Sequence, residues 1–157
     1  MLKKIKEFFL TFKTINKINQ IKPKFLFYSE SKSYLKFGYL IIEYLAKKFP
    51  GEVYYVSSDA EDKINNLDVI NVHISSGFLL QYFFISVSVE NLFMTLTDLN
   101  NSIIKKNKFV KNYIYYFHGA VSTTKIYTSA AFDNYDTILC NGDYQIREIQ
   151  QRESIEN

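Results

Sequence analysis

The 157 residues are enough for one domain with a real core, and 47% hydrophobic against 22% charged residues excludes a disordered chain. Fourteen Phe and thirteen Tyr supply much of that apolar bulk, and a lone cysteine, Cys140, excludes an intramolecular disulfide and fits a reducing compartment. The net charge of +3 is uneven: residues 1–24 hold seven Lys and one Glu, net +6, leaving twelve basic and fifteen acidic residues in a mildly acidic body. Such a body offers no basic groove, so no nucleic-acid partner is expected.

Residues 1–22, MLKKIKEFFLTFKTINKINQIK, form a basic amphipathic segment. Leu2, Ile5, Phe8 or Phe9, Phe12 and Ile15 recur at steps of three and four, which makes an apolar helical stripe with the lysines largely off it. Glu7 and Lys13 bracket too short an apolar run for a signal peptide, and the segment is too polar to span a bilayer. Two fates stay open: docking on the rest of the chain, or lying on an anionic membrane surface with phenylalanines inserted and lysines at the headgroups.

Residues 23–157 read as a single Rossmann-like domain. A buried strand over 24–28 (KFLFY) ends in Ser29-Glu30-Ser31. A helix follows over 33–49, with Ser33 as cap and Pro50-Gly51 as stop. Strands follow at 52–56 (EVYYV) and 68–74 (DVINVHI), then a helix over 77–87, a strand at 91–97 and a polar loop from Asp98. Strands at 113–117 and 137–140 precede a last helix from Asp143 to about residue 153, with Arg147 and Glu148 expected on its exposed side. Cys140 reads as a buried structural thiol and His73 as a packed strand residue.

Short apolar strands alternating with helices predict an α/β fold: a three-layer α/β/α sandwich around a mainly parallel sheet. Ligands of such sheets bind beyond the carboxyl ends of the strands. Here those ends are polar or small: Ser29-Glu30, Ser57-Ser58-Asp59, Ser75-Ser76-Gly77, Thr97-Asp98 and His118-Gly119. Ser29, Glu30 and Asp98 are therefore candidate substrate-binding residues.

The run Tyr113–Phe117 delivers His118 to such an end. Gly119 lets the backbone turn or approach a ligand closely, and Ser122 and Thr123 can start the next helix with amides facing the cleft. An imidazole there could take a proton from a substrate hydroxyl near neutral pH. A histidine beside a glycine turn is nonetheless more often a structural hydrogen-bonding group than a base. Two histidines and one cysteine do not make a usual zinc site. The chain has no GxGxxG, GxxxxGK[ST] or GxSxG, so no cofactor is expected and neither a P-loop nor a hydrolase elbow is present.

The ordered segments FYSESKSYLKF, YYVSSDAED, LFMTLTDLNN and YYFHGAVSTTKIYTSAAFDNYDTILCNGDYQIREI resemble the CDP-glycerol:poly(glycerophosphate) glycerophosphotransferase family over roughly residues 24–153. The most specific part is 116–149. The resemblance implies the N-terminal, acceptor-side half of a GT-B-like enzyme that transfers glycerol phosphate, or a related alcohol phosphate or sugar, to a hydroxyl of a cell-surface polymer and releases CMP. It implies His118 as the base, with Gly119, Ser122 and Thr123 near the substrate. Its expected partners are a polymer or lipid-linked acceptor and a CDP-alcohol donor held by a second domain, which would begin after residue 153. The expected place of work is the cytoplasm, at the inner face of the membrane. Thr124 stands where the family pattern has a second histidine, and Gly142-Asp143 where it has Gly-Pro. A non-catalytic binding module derived from the family remains the alternative.

Overall fold

All six expected strands begin or end within a few residues of the runs that announced them, and the two central runs of β1 and β2 are buried at every residue. The structure is a computed structural model that describes residues 2–101 and 104–156. In chain order the elements are α1 (Leu2–Ile21), β1 (Phe25–Ser29), α2 (Lys32–Lys48), β2 (Val53–Ser57), β3 (Ile70–His73) and α3 (Phe78–Ser86). They continue with β4 (Val89–Met94), β5 (Val110–Tyr116), α4 (Thr123–Ile126), a 3-10 turn at Ser129–Ala131, β6 (Thr137–Leu139) and α5 (Asp143–Glu156).

The six strands form one all-parallel sheet in the order β3-β2-β1-β4-β5-β6. This is a Rossmann-like three-layer fold, with β1 and β2 buried at every residue. Alternation along the strands divides the side chains between the two faces. Leu26, Tyr28, Leu92 and Met94 meet Ile15 and Ile18 of α1 and Phe83 and Phe84 of α3. Phe25, Phe27, Tyr55 and Phe93 meet Ile42 and Ala46 of α2. Phe27 and Phe93 stack with ring centroids 4.3 Å apart, which ties β1 to β4.

Gly38 lets α2 sit close to the sheet: a Cβ there would lie 3.1 Å from the Tyr116 ring. Glycine inside a helix costs about 1 kcal/mol against alanine, and close packing of this helix on β5 offsets it.

The first turn of α2 begins one residue before the expected cap. Ser31 occupies the N-cap, and its hydroxyl bonds that of Ser33 at 2.7 Å instead of a backbone amide. His73 is a correction. It ends β3, the outermost strand on that side of the sheet, and is exposed. Cys140 is half-buried against the cluster of Tyr115, Phe117 and Phe132, and burial pushes its thiol pKa up, as an inert structural thiol requires.

The last part of α1 docks. Ile15 and Ile18 are buried, and Phe12 stacks on Tyr82 of α3 at 5.8 Å. Asn19 closes the joint by donating to the Ser86 carbonyl at 2.8 Å and accepting from the Ser88 amide at 2.7 Å. Phe8, Phe9 and Leu10 remain exposed, and the side chains of Leu2 and Ile5 lie outside the described residues.

Candidate functional site

The chain moves outward from β1 in both directions, to β2 and β3 on one side and to β4, β5 and β6 on the other. At such a reversal the connections diverge and leave a crevice beyond the carboxyl ends of the two central strands. A pocket of about 290 Å³ opens there, lined by Tyr28, Glu30, Gly77, Leu80, Gln81, Leu96 and Ile104. Gly77 carries φ 80, a conformation that favours glycine, and so turns the chain into α3 at the pocket wall.

The pocket's chemistry is apolar walls with a few polar groups. Burial raises the Glu30 carboxyl pKa above the ordinary carboxylate range. Tyr28 is pushed up to about 12, chiefly by burial, and its hydroxyl bonds Ser58 Oγ at 2.9 Å. A carboxyl at the wall suits hydroxyl-bearing ligands and repels a phosphate placed against it.

His118 stands two residues beyond β5 on the opposite, α2 face of the sheet. The Tyr34 ring meets its imidazole edge-on at 5.2 Å, with Phe37 at 6.3 Å. Burial lowers the His118 pKa, which keeps the ring neutral at physiological pH. Nδ1 is buried without a hydrogen-bond partner, so Nε2 is the nitrogen able to meet a substrate. A base acting through Nε2 carries its own hydrogen on Nδ1, and here no acceptor orients that hydrogen.

The turn after His118 is already filled by side chains of α5. Gln145, fully buried, donates to the carbonyls of Gly119 at 3.4 Å and Val121 at 3.2 Å and accepts from the Asn141 amide at 2.8 Å. One turn on, Glu148 accepts from Ser122 Oγ at 2.9 Å, from Thr123 Oγ1 at 2.9 Å and from the Thr123 amide at 2.5 Å. Those donors, the amide first, hold the Glu148 pKa below the ordinary value. Arg152 donates to the carbonyls of Thr123, Tyr127, Thr128 and Ser129. Glu148 is therefore a correction: it is part-buried and pinned, while Arg147 is exposed as expected. The hydroxyls of Ser122 and Thr123, expected near the substrate, meet the internal Glu148 carboxylate instead.

The remaining candidates also sit in internal contacts. Ser29 is fully buried and donates to the Ser31 carbonyl at 2.8 Å. Asp98 adopts φ 57, and its carboxylate accepts from Thr97 Oγ1 at 2.8 Å and Thr128 Oγ1 at 2.9 Å, joining the β4 loop to the turn before β6. Of the named set, only Glu30 lines the crevice. The AFDNYD segment is likewise architectural. Phe132 fills the third core cluster, the Tyr135 hydroxyl donates to the Leu96 carbonyl, and Asp136 accepts from the Tyr113 amide at 2.8 Å.

Two features have no counterpart in the sequence reading. Buried Asp62 accepts from Tyr55 and Ser57 hydroxyls, each at 2.8 Å, and leaves Oδ1 unpartnered. The second feature is the α5 clamp. Its only advance signal is spacing: positions 145, 148 and 152 lie on one helix face, a polar stripe where an apolar one is usual.

Among the described residues no group of His, Cys, Asp or Glu side chains could hold a metal ion, and no helix is long and apolar enough to cross a membrane. No family model, curated protein or solved structure matches the chain.

Proposed function

We propose that this chain is the acceptor-side domain of a glycerophosphotransferase-like enzyme. Its substrate class is a hydroxyl-bearing polymer or lipid-linked acceptor met at the inner face of the membrane, and its donor is a CDP-alcohol held by a second domain, in the same polypeptide or a partner. The observation that carries the reading is the place of His118, two residues beyond the carboxyl end of a parallel strand, with Nδ1 buried and Nε2 left as the nitrogen to meet a substrate. In the step envisaged, the acceptor hydroxyl oxygen forms a bond to the donor's β-phosphorus, the phosphoanhydride bond to CMP breaks, and His118 takes the hydroxyl proton. The crevice with Glu30 lies on the other face of the sheet from His118 and would hold a part of the acceptor remote from the reacting hydroxyl.

The test is CMP release from CDP-glycerol with a donor-binding domain supplied and a glycerol phosphate oligomer as acceptor. His118→Ala is expected to slow release by about 100-fold or more with the fold intact. Full activity in that variant would remove the base assignment.

A second reading, a non-catalytic binding module, draws on the unoriented Nδ1 of His118 and on the engagement of Ser122 and Thr123 by Glu148. Under it, the acceptor oligomer binds the crevice while the His118→Ala protein binds it equally well and no CMP release is found.

A further inference from the structure

α3, FLLQYFFIS, contains no charged residue. Phe83 and Phe84 point into the core, while Phe78 is 68% and Ile85 53% exposed. Phe78, Tyr82 and Ile85 lie four and three residues apart, so they share one outward stripe. Exposed apolar side chains are ordinary when scattered, but a continuous patch needs an occupant.

This patch continues onto α1. Tyr82 is the residue on which Phe12 stacks, and the exposed Phe8 and Phe9 extend the surface away from the joint. Lys13 and Lys17 are exposed on the same helix, and the first 24 residues carry a net charge of +6. Apolar rings flanked by lysines, beside a helix with no charge to desolvate, match a surface that is hydrocarbon inside and anionic at its rim. A second protein copy would bring its own lysines to this face and meet the same positive charge.

We infer that α1 and α3 together form one membrane-docking face, seated on an anionic bilayer with Phe9, Phe12, Phe78 and Ile85 inserted and Lys13 and Lys17 at the headgroups. α3 supplies the part that sequence periodicity in α1 alone does not reveal. The inference deepens one part of the proposed function, the meeting with the acceptor at the membrane, and is separable from the transfer step: its failure would leave CMP release to a soluble oligomer unaffected, and failed CMP release would leave it standing. A consequence is that the helix resting on the bilayer also walls the crevice, through Gly77, Leu80 and Gln81.

The experiment is sedimentation of the full chain with vesicles of roughly 3:1 phosphatidylcholine to phosphatidylglycerol, alongside pure phosphatidylcholine vesicles. Binding is expected only to the anionic vesicles and should weaken when salt is raised from about 0.1 M to about 0.5 M. Phe9→Ser and Phe78→Ser are each expected to lower affinity about tenfold with the melting temperature unchanged, since both side chains are mostly exposed. Lys13→Gln with Lys17→Gln should flatten the salt dependence. Equal binding to both vesicle types, or none, would overturn the inference. So would loss in Phe9→Ser with full binding in Phe78→Ser, which would confine the contact to α1. A dimer in sedimentation velocity that dissolves in Phe78→Ser, with no vesicle binding, would assign the face to a second copy instead.

Discussion

Two places on the same sheet rim, the crevice between β1 and β4 and the turn after β5, are built in opposite ways. At the crevice the chain diverges, leaving open volume with apolar walls and one carboxyl. At the β5 turn, helix α5 folds back and fills the donors and acceptors of residues 119–129 with its own Gln, Glu and Arg. The contrast teaches that a polar strand end is not by itself a binding site. Its hydrogen-bonding groups are available only where no later part of the chain has claimed them. His118 lies at the border: its backbone leads into the clamped turn, but its ring faces α2 and is not part of the clamp.

The largest effect is expected from breaking the clamp. Gln145→Leu would leave the Val121 carbonyl and the Asn141 amide without their partner, and the Gly119 carbonyl with the Asn141 side-chain amide as its remaining donor. The loss should be about 3 kcal/mol in urea unfolding, equivalent to a fall of roughly 6–12 °C in melting temperature. An unchanged midpoint would mean the β5 turn is held by other contacts, and the contrast between the two sites would weaken. Filling the other site should do the reverse. Leu80→Trp is expected to lower the affinity of a glycerol phosphate oligomer about tenfold while changing stability by about 1 kcal/mol or less. Calorimetric titration reads the first quantity and thermal melting the second.

Glu148 gives a pH signature for the clamp. Its folded-state pKa lies below its unfolded value, so its contribution is present above the ordinary glutamate value and is lost as pH falls through the folded one. Glu148→Gln should therefore flatten the acid limb of a stability–pH curve below about pH 4.5. The smallest effect belongs to His118. Its pKa is lowered by burial, so the unfolded chain binds that proton more readily, and stability falls as pH drops below about 6.5. His118→Phe should remove that slope, measured by urea midpoints between about pH 5 and pH 7.

The sheet was legible because its information is local. FLFY, VYYV and YIYY are apolar at every position, a pattern that only a strand covered on both faces requires. The end points moved where pairing decided them: Val110 joins β5 because Val89 lies opposite, a fact held 21 residues away. His73 was misjudged because strand order is not local, and an edge position looks the same as a central one in the text of the chain. The candidate site was less legible still. Glu30 could be found from its place after the first strand, but the fate of Ser122 and Thr123 rests on Glu148, 26 and 25 residues downstream respectively. A hydroxyl cluster reads alike whether it greets a substrate or a neighbouring helix.

The joining of β1 to β4 has a consequence in chain entropy. Asn91 reaches back to the Lys24 carbonyl across 67 residues, and the stacked Phe27 and Phe93 rings close the same loop. Pairing this distant is slow to form, because the loop must be closed before its contacts compensate. The crevice exists only once that loop is shut. A ligand held there at 100 times its Kd would add about 2.7 kcal/mol to the closed state. Occupancy of the crevice is thus also a clasp on one of the fold's long loops, and ligand binding and resistance to unfolding should rise together.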